Sequence, residues 1–343
     1  MWRALKRWLS NVRAGLRRLR FRRNQGRFEA PHRRLVSRLL LTFRAYRLYL
    51  PAAVARRDRL PLLVMLHGCK QDAEVFAEGT RMNELAERNN FIVVYPEQSR
   101  TANSYGCWNW FHPAAQLGAG DAGAVARIVR RVAKRYPVDT TRVYVAGMSA
   151  GGALAAVLAH RHGDLFAACA VHSGLRHGAA TSSAAALAAM RNGAPVPAPQ
   201  TAPAGPFVPM LVIHGDRDAT VDPVNAGQII EQARLAAASG TPAQALVESS
   251  TRRFANARHP HVQRDYVRDG KVVLRLIAVE GLDHAWSGGD GRHPFNDPEG
   301  PDASRLVWDF VKDFRRLPDG TSAGAPAWRS SLAALWERLR RRA

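Results

Sequence analysis

Cysteine is scarce in this chain of 343 residues, and long apolar runs are missing. Three cysteines, Cys69, Cys107 and Cys169, are too few for a fold that is held together by a disulfide framework. No stretch of about 18 apolar residues occurs, so the sequence predicts no transmembrane helix. A secretory signal needs an apolar core of about 7–15 residues, and Lys or Arg interrupts every candidate. We therefore expect a cytoplasmic protein in a reducing compartment.

Acidic residues are also few, with 28 Asp and Glu against 50 Lys and Arg, and the formal net charge is +22. The excess lies at the two ends of the chain. Residues 1–34 hold twelve Lys or Arg and one acid, and residues 329–343 hold five Arg and one acid, so the two ends together carry +15. The charge therefore indicates basic terminal extensions rather than a basic fold.

Both ends of the sequence predict basic amphipathic helices. Apolar residues recur at spacings of three and four from Trp2 to Leu19 and again from Trp328 to Leu339, and Arg or Lys fills the other faces. The predicted organisation is an N-terminal extension over residues 1–38, an α/β domain over 39–317, and a linker with a C-terminal helix over 318–343. The domain contains an insertion rich in Ala and Pro at residues 176–207.

Between the extensions, short apolar runs alternate with helical patterns, which is typical of an α/β fold with a mostly parallel sheet and helices on both faces. The predicted strands are Ala45–Leu50 at an edge, Leu60–Leu66, Phe91–Tyr95, Val143–Ala146, Phe166–Val171 and Met210–Ile213. The predicted helices are Thr80–Asn89, Asp121–Tyr136, Val224–Ala238 and Asp302–Phe314, with a short one near Ala184–Met190. A hairpin is predicted over Arg264–Val279, turning at Asp269 and Gly270.

The most informative motif is G-x-S-x-G at residues 147–151, which follows an apolar strand and precedes an Ala-rich helix. This context is that of a nucleophile elbow, in which a serine stands on a sharp turn between strand and helix. Gly147 and Gly151 would allow the turn, and Ser149 would be exposed at its tip. A serine that only caps the helix is the alternative interpretation.

A nucleophilic serine needs a histidine base that is oriented by an acid, and in the α/β-hydrolase plan these follow in the order Ser, acid, His. His284 follows the last predicted strand, and we predict it to be the base. Three acids compete in the loop after Met210–Ile213, namely Asp216, Asp218 and Asp222; we favour Asp218, because Asp216 or Asp222 could cap the next helix. His67 and His214 stand beside glycines at strand ends and are predicted to be structural.

An oxyanion hole needs two backbone NH donors. One donor is predicted to be the NH of Ala150, which follows the nucleophile. The other is predicted to be the NH of Cys69, in the loop after the early strand Leu60–Leu66. This mechanism needs no metal and no organic cofactor.

Seven motifs together resemble the polyhydroxybutyrate depolymerase family of α/β-hydrolase esterases, which also includes feruloyl and acetylxylan esterases. The motifs are Leu66–Gln71, Ser104–Phe111, Gly147–Gly152, Val171–Gly174, His214–Asp218, His284–Gly289 and Gly300–Ser304. They extend over roughly residues 43–315, and Cys-Trp-Asn-Trp and Gly-Pro-Asp-Ala-Ser are far more specific than the serine motif.

The resemblance implies an α/β-hydrolase fold and an ester of a 3-hydroxyacid as the substrate, and it supports Asp218 as the acid. It also implies that Trp108 and Trp286 lie near the substrate pocket, although both could be core aromatics. Cys69 and Cys107 both fall in family motifs, so they are expected to be close in space. They could form a disulfide in an oxidising compartment or remain two thiols in the cytoplasm; Cys169 is expected to be a buried strand residue.

The function predicted from the sequence is hydrolysis of poly(3-hydroxybutyrate) or related oligoesters through an acyl-enzyme, at intracellular storage granules. A feruloyl or acetylxylan type of carbohydrate esterase is the alternative, and it implies secretion. A third alternative is a granule-coat or nucleoid-tethering protein with minor hydrolase activity. The basic tails could bind a granule or another anionic surface or, less favoured, nucleic acid, or they could be solvated extensions.

Overall fold

The computed structural model describes residues 27–29, 35–37, 40–56, 58–195, 206–238, 246–255, 258–316 and 322–324. The predicted amphipathic helices at both ends and residues 196–205 of the insertion lie outside these ranges. Within them, no helix has the length and apolar character that crossing a membrane requires.

A ten-stranded sheet forms the centre of the described domain. Its strands, in spatial order, are β1 (Arg27–Glu29), β4 (Tyr46–Leu50), β6 (Ile92–Pro96), β5 (Leu60–Leu66), β7 (Val138–Met148), β8 (Ala168–His172), β9 (Met210–Gly215), β12 (Lys271–Val279), β11 (His261–Arg268) and β10 (Val247–Phe254). The six strands from β6 to β12 run parallel, and the two strands at each edge pair antiparallel. This arrangement confirms the predicted α/β class.

Three small two-stranded ladders complete the strands of the described residues. They pair β2 (Leu35–Ser37) with β3 (Leu40–Arg44), β13 (Trp286–Ser287) with β14 (Asn296–Asp297), and β15 (Phe314–Arg316) with β16 (Ser322–Gly324). The predicted edge position of Ala45–Leu50 is wrong, because Arg27–Glu29 pairs with β4 and takes the edge. That outer strand belongs to the segment that the sequence assigned to the N-terminal extension.

Helices cover the sheet. They are α1 (Ala73–Thr80), α2 (Met82–Asn89), α3 (Pro113–Gln116), α4 (Gly120–Arg135), α5 (Ala150–Arg161), α6 (Ser183–Asn192), α7 (Val224–Ala238) and α8 (Ala303–Val311), with a 3₁₀ turn at Ala52–Arg56. The predicted helix Thr80–Asn89 is confirmed as α2, which begins two residues later because Arg81, with φ 52°, separates it from α1, a helix that was not predicted. The short helix predicted in the insertion is confirmed as α6, and Ser182 caps its N-terminus.

Burial follows from the near-continuous apolar sequence of the central strands. Every residue of β5, β6, β8 and β9 is buried, as parallel strands covered on both faces require. The predicted hairpin is also confirmed: β11 pairs with β12, and Asp269 and Gly270 turn the chain with φ values of 52° and 73°. Because β5, β7, β9 and β12 are parallel, the loops at their carboxyl ends meet at one edge of the sheet, where all three predicted catalytic residues lie.

Candidate active site

Ser149 stands on a strained turn between β7 and α5. Its backbone has φ 57° and ψ −123°, a region that residues with a Cβ seldom adopt and that costs about 1–3 kcal/mol. A Cβ on Gly147 would lie 2.4 Å from the carbonyl oxygen of Gly151, so the turn cannot close around a larger residue. The Ser149 NH donates to the carbonyl of His172 at 2.9 Å, and this bond fixes the turn against β8.

His284 lies in the loop after β12 and faces Ser149. Its Nε2 is 2.9 Å from the Ser149 Oγ, and its Nδ1 is 2.7 Å from an oxygen of Asp218. The three side chains therefore form one hydrogen-bonded row, although 135 and 66 positions of sequence separate the two pairs. The structure brings together the serine, acid and histidine that the sequence singled out.

Asp218 is buried and held as a carboxylate. Its Oδ1 accepts hydrogen bonds from the NH groups of Thr220, at 3.0 Å, and Val221, at 2.8 Å, and this leaves Oδ2 for His284. Burial alone would raise the pKa of Asp218, but the contacts with His214 and His284 and the Val221 NH outweigh burial, and the pKa falls below its usual range. A charged carboxylate at this position can stabilise a protonated imidazole during a reaction.

The other two acids in this loop have structural partners. The Oδ1 of Asp216 accepts a hydrogen bond from the Gly281 NH at 2.7 Å, which links the acid loop to the loop of His284. The Oδ1 of Asp222 accepts from the Val224 NH at 2.8 Å, which caps α7. Neither carboxylate contacts His284 in the described hydrogen bonds, so the geometry favours Asp218 as the acid.

His214 is the second histidine beside Asp218, and its role differs from that of His284. Its Nε2 lies 3.5 Å from the Asp218 carboxylate but only 2.8 Å from the Val221 carbonyl. The shorter contact is the hydrogen bond, so His214 braces the backbone of the acid loop, as a structural histidine would. Its Nδ1 is buried and has no hydrogen-bond partner among the described residues.

His67 likewise holds a loop. Its Nδ1 donates to the Gly68 carbonyl at 2.8 Å, and its Nε2 accepts from the Gln98 NH at 3.1 Å. Burial lowers the pKa of His67 to about 4, partly opposed by the bond to the Gly68 carbonyl, so the ring is neutral at pH 7. The structure agrees with the structural role that the sequence predicted for this residue.

The loop after β5 packs directly against the serine. A Cβ on Gly68 would lie 3.4 Å from the Ser149 Cβ. The Gly68 NH donates to Gln71 at 2.9 Å and the Lys70 NH to the Tyr105 carbonyl at 2.8 Å.

The NH of Cys69, which lies between these two donors, has no acceptor among the hydrogen bonds of the described residues. The same is true of the NH of Ala150, the first residue of α5. Two NH groups without an acceptor among the described residues therefore lie next to Gly68, which packs on Ser149, and directly after Ser149, which suits an oxyanion hole.

A disulfide joins Cys69 to Cys107, with their Cα atoms 4.2 Å apart. Of the two alternatives that the sequence left open, the structure therefore has the bonded one. The bond links the loop of the Cys69 NH to the loop that carries Trp108. Cys169 is a free and buried strand residue, as predicted, and burial raises the pKa of its thiol.

The two tryptophans predicted to contact substrate are both buried, with 0% of Trp108 and 1% of Trp286 exposed. The ring of Trp286 stacks on His172 at 5.0 Å and meets Phe76 edge-on at 5.6 Å, and its Nε1 donates to Ser304. Trp286 thus offers no surface to a substrate in this structure, and core packing, the alternative considered from the sequence, describes both residues.

His172 was missed as a site residue, although its strand-end motif was part of the resemblance. Its carbonyl accepts from the Ser149 NH, and its Nε2 accepts from the Ser287 NH at 3.2 Å. Burial lowers the pKa of His172 to about 3, so it stays neutral and acts as an acceptor. The signal that could have found it is a histidine at the end of the strand beside the nucleophile. Within the described ranges, no three metal-ligating side chains lie together in a way that could hold a metal ion.

Comparison with known proteins places this site in a family context. The model of the family "Esterase PHB depolymerase" matches residues 44–251, more than half of the chain. Poly(3-hydroxyalkanoate) depolymerase C of Paucimonas lemoignei is 35% identical over 182 residues, which cover 50% of this chain and 44% of that protein. Feruloyl esterase B of Neurospora crassa is 33% identical over 140 residues, which cover 40% of this chain and 46% of that protein. The chain thus spans about half the length of the curated relatives it matches.

A solved structure shows the same fold. The acetyl xylan esterase from Aspergillus awamori superposes with a TM-score of 0.60 at 22% sequence identity, and the match covers 75% of this chain and 94% of that one. At this level of identity the likeness shows the fold alone, which is the α/β-hydrolase fold that the sequence predicted.

Proposed function

The chain belongs to the PHB depolymerase family of esterases, and from this premise we propose that it is a serine hydrolase that cleaves poly(3-hydroxybutyrate) or related 3-hydroxyacyl oligoesters. One observation carries the proposal: the Ser149 Oγ lies 2.9 Å from His284, whose other nitrogen lies 2.7 Å from Asp218. This row is the minimal machinery for activating a hydroxyl that is otherwise a weak nucleophile.

In the first half of the reaction, the Ser149 oxygen attacks the ester carbonyl while its proton passes to the Nε2 of His284. The imidazolium is stabilised by the Asp218 carboxylate at its Nδ1. The tetrahedral intermediate then expels the alcohol, which takes the proton from His284, and an acyl-serine remains.

In the second half, water takes the place of the alcohol. His284 removes a proton from the water as it attacks the acyl carbonyl, and then returns the proton to Ser149 as the acid product leaves. In both halves the negative oxygen would accept hydrogen bonds from the NH groups of Cys69 and Ala150. One such donor is typically worth about 10²–10³ in rate.

Replacing the nucleophile tests the proposal. Ser149→Ala removes the attacking oxygen but keeps the Cβ, so the backbone strain at φ 57° is unchanged and the fold should survive. Hydrolysis of p-nitrophenyl butyrate and of 3-hydroxybutyrate oligomers should fall by at least about 10⁴-fold. Circular dichroism and thermal unfolding of the same sample check that it is folded. Turnover equal to that of the unchanged protein would rule out Ser149, and with it the mechanism.

A carbohydrate ester is the second candidate substrate, because relatives of similar identity have the names feruloyl esterase and acetylxylan esterase. Equal concentrations of the purified protein, given amorphous poly(3-hydroxybutyrate), acetylated xylan and methyl ferulate, separate the two classes. Release of 3-hydroxybutyrate faster than acetate or ferulate supports the polyester. The reverse order assigns the site to carbohydrate esters.

For the location, the disulfide supports the extracellular alternative over the cytoplasmic one expected from the sequence, because disulfides persist in oxidising compartments. Rapid alkylation of intact host cells, followed by mass spectrometry, measures the oxidation state directly. Fully paired Cys69 and Cys107 would support export. Two alkylated thiols would instead support the cytoplasmic location at storage granules that is expected from the sequence.

A further inference from the structure

In the second half of α4, every residue that is exposed to solvent is an arginine or a lysine. Arg127, Arg130, Arg131, Lys134 and Arg135 are all exposed, and together they form what we call the cationic face. At about 100° per residue, the five side chains fall within an arc of about 140°. The buried residues of the helix, which include Val125, Ile128, Val129 and Val132, lie on the other side.

The cationic face is poorly neutralised by the fold. Within the described ranges, the one carboxylate that reaches it is that of Asp164, 3.6 Å from Arg130, and both of these side chains are about half exposed. Asp139, which follows the helix in sequence, is already paired with Arg142 at 2.7 Å and with Arg315 at 3.1 Å. Like charges three and four positions apart destabilise a helix. This face therefore stores repulsion that an external anionic surface would relieve.

Other helices of the same domain treat exposed arginines differently. Arg88, Arg234 and Arg305 each have an acid one turn away on their own helix, namely Glu84, Glu231 and Asp309. No such acid occurs in the second half of α4, where the sequence from Arg127 to Arg135 has no Asp or Glu. Among these helices, α4 alone therefore carries a run of exposed cations with no acid on the same helix face.

The cationic face is also far from the catalytic row. Three residues after Arg135 the chain enters β7 at Val138, and β7 runs for 11 residues before it reaches Ser149. Val138 pairs with Leu60 and Gly147 with Leu66, because a bulge shortens β7, so the two ends of the strand lie about six β5 residues, or roughly 20 Å, apart. A large surface bound at the C-terminal end of α4 would leave the Ser149 edge of the sheet open to substrate.

We propose that the cationic face is a docking surface for a bilayer that contains acidic phospholipids. Five unpaired or weakly paired cations on one helix side complement a surface of lipid phosphates. The terminal segments of the sequence favour a bilayer over nucleic acid, because they place Trp2, Trp8, Trp328 and Trp336 among arginines. Tryptophan suits an interface with an apolar interior, which a nucleic acid does not offer.

The test is a charge-matched pair of variants in the full chain. Arg127→Gln, Arg131→Gln and Lys134→Gln together remove three charges from the cationic face. Arg88→Gln, Arg234→Gln and Arg305→Gln together remove three charges elsewhere and serve as the control. Sedimentation with vesicles of phosphatidylglycerol and phosphatidylcholine, mixed one to three, gives the partition coefficient. The catalytic residues are untouched, so both variants should keep their activity on p-nitrophenyl butyrate.

We expect the first variant to bind vesicles about 100-fold more weakly and the control within about fivefold of the unchanged protein, since each cation near an acidic bilayer contributes about a fivefold factor. Equal losses of vesicle binding in the two variants would mean that only net charge matters. No loss in the first variant would mean that the terminal segments, and not the cationic face, bind the vesicles. Either result overturns the proposal. It is also overturned if duplex DNA binding falls in the first variant while vesicle binding does not, which would make the partner a nucleic acid.

Discussion

Two sets of residues at the active site differ in what they can do. The hydrogen-bonded row (Ser149, His284 and Asp218) reaches the surface, and 11% of the His284 side chain is exposed. The buried layer behind it (His172, His214 and Trp286) is almost fully enclosed. Both sets contain histidine within reach of the same carboxylate. The difference lies in the ring nitrogens. The Nδ1 of His284 contacts the carboxylate and its Nε2 contacts a hydroxyl, whereas the Nε2 of His214, the nitrogen nearer Asp218, bonds to a backbone carbonyl.

A histidine becomes a base through its partner and its access to a reacting atom. A histidine that donates to a carbonyl has its proton committed to structure. If the row carries the chemistry and the buried layer only supports it, replacing a residue of the row should cost far more activity than replacing one behind it.

Exchanging the two histidines for alanine should give the largest contrast. His284→Ala should lower kcat/KM by at least about 10⁴-fold, because no base remains to take the serine proton. His214→Ala should cost about tenfold or less in activity, together with about 1–3 kcal/mol of unfolding free energy from the lost bond to the Val221 carbonyl. Ester hydrolysis and urea unfolding measure both. Similar activity losses in the two variants would contradict the assignment of His284 as the base and His214 as a structural residue.

The acids give the next contrast. Asp218→Asn should lower kcat by about 10³–10⁴-fold, since a neutral amide can neither hold the reactive tautomer nor stabilise the imidazolium. Asp222→Ala should leave kcat within about twofold and cost about 1 kcal/mol, because it removes only the cap of α7. If Asp222→Ala inactivates the enzyme and Asp218→Asn does not, the acid has been assigned to the wrong residue.

Acid should destabilise the fold through its buried neutral histidines. Burial lowers the pKa to about 4 for His67 and His177 and to about 3 for His160 and His172. In the unfolded chain each histidine returns to about 6.5 and takes up a proton below that pH, so the stability is fully present above pH 6.5 and falls as the pH is lowered. Each contributes up to about 1.4 kcal/mol per pH unit between about 6 and 4.

Thermal unfolding from pH 7.5 to 4.5 measures this slope. His172→Gln should reduce the slope by about one proton, because glutamine does not titrate, while it retains an acceptor for the Ser287 NH. A slope that does not change in this variant would mean that His172 is not neutral in the folded protein.

The smallest effect is expected where the buried layer ends, at Ser304. Its Oγ accepts from Trp286 and donates to the Thr80 carbonyl. Ser304→Ala leaves both groups without this partner, so unfolding should become about 1–2 kcal/mol easier while kcat stays within about twofold. Urea titration and ester hydrolysis decide the outcome. A large fall in kcat would show that the position of Trp286 controls the row.

Much of the fold could be predicted from the sequence. Central parallel strands read as unbroken apolar runs because both of their faces are buried, and β5 and β9 were predicted to within two residues. The edge strand β10 was missed, since Val247–Phe254 is largely polar and exposed and lacks that signal. Helix α1 was not predicted, and Arg81 separates it from α2 through a positive φ that no sequence rule assigns to arginine.

The serine turn and the order of serine, acid and histidine could be identified from the sequence because they depend on local features: small residues that permit a sharp turn, and loops that follow apolar strands. Tertiary structure alone decided which of three aspartates meets His284, which histidine faces a hydroxyl, that Cys69 and Cys107 are bonded, and that Trp108 and Trp286 are enclosed. These outcomes depend on distances between residues far apart in the chain. Backbone sterics act over a few neighbouring residues, whereas packing of the whole sheet sets those distances.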